Sequence, residues 1–123
     1  MEHKIKGTVI HGNHIGSELG FPTANIQLGP EDNTEDGVYA AEVIVDGIKY
    51  YAMANVGRRP SVHGTKGRFL EANLFGFSGD LYRKEIEVNL VSRIRDERKF
   101  DSLEILREQI VNDREDIIKY FNI

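Results

Sequence analysis

Thr23 and Asn25 stand two residues apart in the segment Leu19-Gly20-Phe21-Pro22-Thr23-Ala24-Asn25. Pro22 fixes the local backbone, and in an extended chain the side chains of Thr23 and Asn25 point the same way. A hydroxyl and an amide oxygen side by side suit a hard cation such as Mg²⁺, with nucleotide phosphates and water completing the octahedron. The plain alternative is a turn in which both side chains bond their own backbone, and spacing alone favours it by roughly three to one. Glu71, in Phe69-Leu70-Glu71-Ala72-Asn73-Leu74-Phe75, shares a strand face with Phe69, Asn73 and Phe75. A carboxylate among aromatics is pushed toward the pKa range of a general base, although most such glutamates simply face solvent.

Other candidates carry weaker signals. Gly12, Gly16 and Gly20 recur every four residues, and glycines let backbone N–H groups approach an anion closely. No Gly-Lys-Ser/Thr follows them and no helical pattern begins there, which excludes a Walker A loop and a dinucleotide fingerprint. His11-Gly12-Asn13-His14 has its glycine in the wrong place for a nucleotidylyltransferase motif. Arg93, Arg95, Arg98 and Lys99 precede Phe100 and suit a phosphate or a polar ring edge; Asp96, Glu97 and Asp101 are there to neutralise them.

The elements that must position these residues are mostly strands. Lys4 to Ile10 reads as a strand, and Gln27 to Gly37 as a loop punctuated by Gly, Pro, Asn and Asp. Asp46-Gly47 between Tyr39–Val45 and Ile48–Val56 is a strong hairpin signal, because both turn positions favour positive φ. Gly57 to Gly67 reads as a polar loop. Phe69 to Phe77 and Glu85 to Ile94 form a second strand pair, with Ile86, Val88 and Leu90 alternating with polar neighbours. Leu103, Leu106, Ile110, Ile117 and Phe121 then fall at helical spacing. Asp101 with Glu104 resembles a capping box, and Asn112-Asp113 is a candidate break between two short helices. Strands followed by a terminal helix predict a closed or nearly closed antiparallel barrel with a helix packed on it.

Composition narrows the function. The 123 residues are about one domain's worth, and 40% hydrophobic with 29% charged is ordinary for a soluble globular domain. Sixteen Lys and Arg against twenty Asp and Glu give a net charge of −4, which argues against nucleic acid or an anionic membrane as main partner. The absence of cysteine excludes disulfides, thiolate nucleophiles and Cys-based zinc sites. No apolar run approaches the roughly 18–20 residues that span a bilayer. Met1-Glu2-His3-Lys4 lacks the apolar stretch of a signal peptide, so a cytoplasmic protein is expected.

Taken together, these pieces resemble the riboflavin kinase (flavokinase) family across nearly the whole chain. The matching blocks run from Gly7-Thr8-Val9 through Gly12, Gly16, Leu19–Asn25, Gly37-Val38-Tyr39-Ala40 and Asn55-Val56-Gly57-Arg58-Arg59-Pro60. They continue through Glu71, Asp80-Leu81-Tyr82, Ile94-Arg95 and Lys99-Phe100-Asp101-Ser102-Leu103, to Gln109-Ile110 and Asp113. The resemblance implies an all-β fold: a six-stranded antiparallel Greek-key β-barrel over about 4–95 with a C-terminal α-helical segment over about 101–121, one domain across 1–123. It implies transfer of the ATP γ-phosphoryl group to the ribityl 5′-hydroxyl of riboflavin, giving FMN and ADP. Thr23 and Asn25 would then hold Mg²⁺ and the phosphates, and Glu71 would be the general base. Gly12, Gly16, Ser17 and Pro22 would contribute to the nucleotide side, with Arg95, Phe100 and Leu103 on the flavin side.

This sequence departs from the family pattern at four places. Asn73 stands where the family usually has histidine, Ser61 where it has threonine, and Arg83 where it has glycine. Ser17 occupies a position often held by a basic residue. The departures keep open a weakly active or inactive flavin-binding homologue, and a nucleic-acid-binding barrel ranks last because the strands carry as many glutamates as cations. Bacterial relatives often add an FAD synthetase domain on the N-terminal side, for which this chain has no room, so FAD synthesis is not expected. The expected partners are riboflavin and ATP, with no nucleic acid and no membrane, and the expected state is a monomer.

Overall fold

The computed structural model describes residues 3–10, 23–62 and 65–123, with the backbone alone at 59–62 and 65–66. Six strands and one helix follow in order: β1 (His3–Thr8), β2 (Thr23–Gln27), β3 (Gly37–Val45), β4 (Ile48–Val62), β5 (Thr65–Leu74), β6 (Glu85–Arg95) and α1 (Leu103–Phe121). They form one antiparallel sheet in the order β1-β6-β3-β4-β5-β2. Three consecutive hairpin-linked strands, β3 to β5, with β6 returning beside β3, make a Greek key. The sheet curls until its edges meet, where the Ile10 N–H donates to the Asn25 carbonyl at 2.8 Å.

Alternation along the strands fills the concave face. Ala24, Ile26, Val43, Val56, Leu70, Leu74, Val88 and Leu90 are buried together there. Among the described residues, the convex face is covered where α1 lies, by Ile110, Ile117 and Phe121 against Val38, Ala40 and Met53. That second layer explains why Gly37 to Ala41 are buried on both faces, whereas later β3 residues alternate. At Gly37, with φ at +154°, a Cβ would stand 2.8 Å from the Arg95 carbonyl, so only glycine allows β3 and β6 this close.

The Asp46-Gly47 hairpin forms with both turn residues at positive φ, 50° and 82°. Elsewhere the structure corrects local expectations. The described part of Gly57 to Gly67 is no polar loop: β4 runs to Val62 and β5 begins at Thr65, with Arg58 opposite Arg68, and the register shifts between Arg59 and Val62. Pro60, which has no N–H to give the ladder, sits within that shift. α1 runs unbroken through Asn112 and Asp113, because both sit inside a packed helix whose stripe overrides their weak propensity. Its N-cap is Ser102, whose Oγ accepts from the Ile105 N–H at 3.1 Å, rather than Asp101. Among the described residues, no helix is long and apolar enough to cross a membrane.

Candidate active site

Register places the candidate residues on shared rungs of the sheet. Asn25 lies opposite Glu71, Glu71 opposite Asn55, Asn55 opposite Val38, and Val38 opposite Arg95. The next rung runs from Thr23 through Asn73 and Met53 to Ala40. Directly opposed residues share a face, so all of these belong with Val38, Ala40 and Met53 on the convex side beneath α1. Among the described residues, the concave side is filled with buried aliphatic side chains, and the candidate residues lie on the opposite face.

A cleft of about 220 Å³ opens between this face, the segment after β6 and the first half of α1. Glu71, Asn73 and Asn55 form its polar end; Val38, Met53, Leu106 and Ile110 form its apolar middle; Arg95, Arg98 and Phe100 stand at the far end. The Asn55 Oδ1 is buried with no hydrogen-bond partner among the described residues. A buried acceptor left this way costs about 1–3 kcal/mol, which a hydroxyl donor from a ligand would recover.

Each end is braced. Thr23 Oγ1 donates to Asn73 Oδ1 at 3.1 Å, which turns the lone pairs of the hydroxyl away from Asn73. At the far end, Arg95 Nε donates to both oxygens of Asp113 at 3.0 Å, and Nη2 donates to Oδ2 at 2.8 Å. Gln109 Nε2 also donates to Asp113 at 2.9 Å, and Arg95 Nη1 reaches the Asp96 carbonyl at 2.9 Å. The Phe100 ring centroid lies 5.6 Å from the Arg95 guanidinium carbon and 4.6 Å from that of Arg98.

Of the residues singled out from the sequence, Glu71, Arg95 and Phe100 line the cleft, and Thr23 and Asn25 occupy the adjoining strand. Leu103, the first residue of α1, is instead 48% exposed; Leu106 and Ile110, on the inward face, are the helix residues that line the cleft. Gly12, Gly16, Ser17 and Pro22 lie outside the described residues. From sequence, Asn55 stands only within a matching block, and Asp113 within a matching block and a candidate helix break, neither with a role in the site. A signal for Asp113 was present: a carboxylate at helical spacing between Ile110 and Ile117 interrupts an apolar stripe.

The donor set fits a hard divalent cation. Thr23 offers a hydroxyl, Asn25 an amide and Glu71 a carboxylate on adjacent rungs, all oxygen donors. Among the described residues, no group of three or more His, Asp and Glu clusters into a metal cage. Mg²⁺ commonly binds through few protein oxygens, keeping water and substrate phosphates as its other ligands.

The family model for riboflavin kinase, described as Flavokinase, matches residues 1–121. A bifunctional riboflavin kinase/FMN adenylyltransferase from Buchnera aphidicola subsp. Schizaphis graminum is 45% identical over 121 residues, covering 97% of this chain and 39% of that protein. Its namesake from Haemophilus influenzae is 42% identical, with 98% and 39% covered. The chain thus spans 39% of the length of these relatives. A solved structure from Streptococcus pneumoniae, described as a macrolide-efflux protein, matches with a TM-score of 0.77 at 39% identity, covering 91% of this chain and 37% of that one. The riboflavin kinase of Trypanosoma brucei shares the fold at a TM-score of 0.65 and 24% identity, over 98% of this chain and 80% of that one. A Greek-key sheet with Thr23, Asn25 and Glu71 on one face, matched from end to end by that family's pattern, places this chain in the riboflavin kinase family.

Proposed function

We propose that the cleft transfers the γ-phosphoryl group of ATP to the ribityl 5′-hydroxyl of riboflavin, giving FMN and ADP. The observation that carries this reading is Glu71: its carboxylate stands at the polar end of a cleft whose middle is apolar. An amphiphilic acceptor matches that division. The flat flavin ring packs among Val38, Met53, Leu106 and Ile110, and the hydroxyl chain runs toward Asn55 and Glu71. Glu71 accepts the 5′-hydroxyl proton as the new O–P bond forms and the bond from the γ-phosphorus to the leaving oxygen of ADP breaks. A base so placed is worth roughly 10²–10⁴-fold.

Phosphoryl transfer otherwise depends on positioning and charge stabilisation. Thr23 and Asn25 would hold Mg²⁺, which when bound offsets the negative charge of the phosphates. The segment carrying Gly12, Gly16, Ser17 and Pro22 takes the nucleotide phosphates in this reading. Arg95 and Phe100 close the flavin end, and Asn55 accepts from a ribityl hydroxyl. The enzyme works in the cytoplasm as a monomer, which size-exclusion chromatography near 14.0 kDa would reflect.

Incubation with riboflavin, ATP and Mg²⁺, followed by chromatographic separation of the flavins, tests the reading. FMN and ADP should form one for one and cease to form on chelation of the metal. Riboflavin bound without conversion would leave a flavin-binding homologue instead.

A further inference from the structure

Asp113 breaks the packed stripe of α1. Ile110, Ile117 and Phe121 on that stripe are apolar, yet Asp113 is 1% exposed between them. Taking a carboxylate out of water carries a desolvation cost, and an apolar pair of the same volume often stabilises a fold as well as a buried ion pair does. Stability alone therefore gives no reason for the pair. Its partner gives one, because Arg95 forms part of the cleft wall. Asp113 and the Asp96 carbonyl grip the guanidinium along two edges, and Gln109 braces the carboxylate from one turn earlier. Arg95 is fixed in place beside Phe100.

The same contact sets the charge of the wall. Glu71 and Glu97 face Arg95 and Arg98 around the cleft, so these four charges cancel. Asp113, directly behind Arg95, leaves the wall one negative charge in excess. Riboflavin is uncharged, whereas a phosphate monoester carries close to two negative charges near pH 7. Glu71, where the new phosphate forms, is three strands from Arg95 on one rung, roughly 14 Å at the usual strand spacing.

We propose that Asp113 is a positioning residue that locks Arg95 flat in the wall and cancels its charge, so that the cleft takes up the uncharged flavin and releases the phosphorylated one. The proposal rests on the riboflavin kinase reading. It assigns Asp113 a role in discriminating substrate from product, separate from holding the helix down.

The test is the dissociation constant of riboflavin and of FMN, by quenching of flavin fluorescence, at low and high salt. With Asp113→Asn, FMN should gain over riboflavin by up to roughly tenfold at low salt, the order that one unit charge exerts on a dianion roughly 15 Å away in a partly screened site. High salt should shrink that gain, and Asp113→Glu should keep the wild-type ratio. Equal changes in both constants would overturn the proposal and leave Asp113 a structural residue. If Asp113→Asn does not fold, the double variant Arg95→Met with Asp113→Leu replaces the pair by apolar side chains and keeps the net charge of the wall. Its ratio should match wild type, and a ratio shifted toward FMN would overturn the proposal. Wild-type protein that binds neither flavin would fail the riboflavin kinase reading itself, and the proposal with it.

Discussion

Thr23 and Asn73 face each other across β2 and β5, and the Thr23 hydroxyl donates to the Asn73 amide oxygen at 3.1 Å. The hydroxyl is thereby oriented by a neighbour that the family pattern supplies as histidine. Groups that orient a metal ligand typically matter by 10–100-fold in affinity or activity. Asn73→Ala should raise the Mg²⁺ concentration needed for half-maximal FMN formation by about tenfold. Asn73→His should restore it, since a ring nitrogen can accept the same proton. An unchanged Mg²⁺ requirement in Asn73→Ala would remove this bond from the account.

Arg83 sits in left-handed backbone at φ 71°, where the family pattern has glycine. That conformation costs a side-chain-bearing residue about 1–2 kcal/mol. Arg83→Gly relieves it but gives up unfolded-state restriction and a contact with the Tyr82 ring, 5.2 Å away. The net expectation is a gain of about 0.5 kcal/mol in urea denaturation. A clear loss of stability would show that the arginine contributes more than its backbone costs.

Ile117 is fully buried between α1 and the convex face of the sheet. Truncation there should cost about 2–5 kcal/mol. Because α1 also carries Leu106 and Ile110 to the cleft, the KM for riboflavin should rise in Ile117→Ala as well. A stability loss below about 1 kcal/mol, outside that range, would mean that the helix is held chiefly by other contacts.

Asp32 lies in the loop between β2 and β3. Burial pushes its pKa up, but hydrogen bonding from Thr34 and the charges of His3 and Arg68 outweigh burial and hold it below its ordinary value of 3.8. A lowered carboxylate pKa stabilises the fold above the unfolded value, and that contribution is lost as pH falls through the folded value. Asp32→Asn should therefore be less stable than wild type near neutral pH, and the two should converge in acid. A difference that stays constant with pH would exclude the charge as its source.

Local patterns were more legible in the sequence than the layout of the sheet. The Asp46-Gly47 hairpin, the alternation of β6 and the stripe of α1 were legible because each is a local pattern. The arms of the β4–β5 hairpin were hidden by Arg58, Arg59, Lys66 and Arg68, whose polarity reads as loop until pairing between Arg58 and Arg68 is known. Thr23, Asn25 and Glu71 could be named from residue type and family pattern. The common rung of Asn25 and Glu71 with Asn55 and Arg95, and the adjoining rung of Thr23, depend on which strands become neighbours, and β6 crossing back to β3 cannot be counted along the chain. The grip of Asp113 on Arg95 was obscure for the same reason.

The most direct test of the account is FMN formation by Glu71→Gln against wild type in a single turnover at saturating riboflavin and MgATP. The glutamine keeps the shape of the side chain and one acceptor oxygen but cannot take the hydroxyl proton. The account predicts that riboflavin still binds while the phosphoryl transfer rate falls by roughly 10²–10⁴-fold. Transfer at an undiminished rate would contradict it and remove Glu71 as the base.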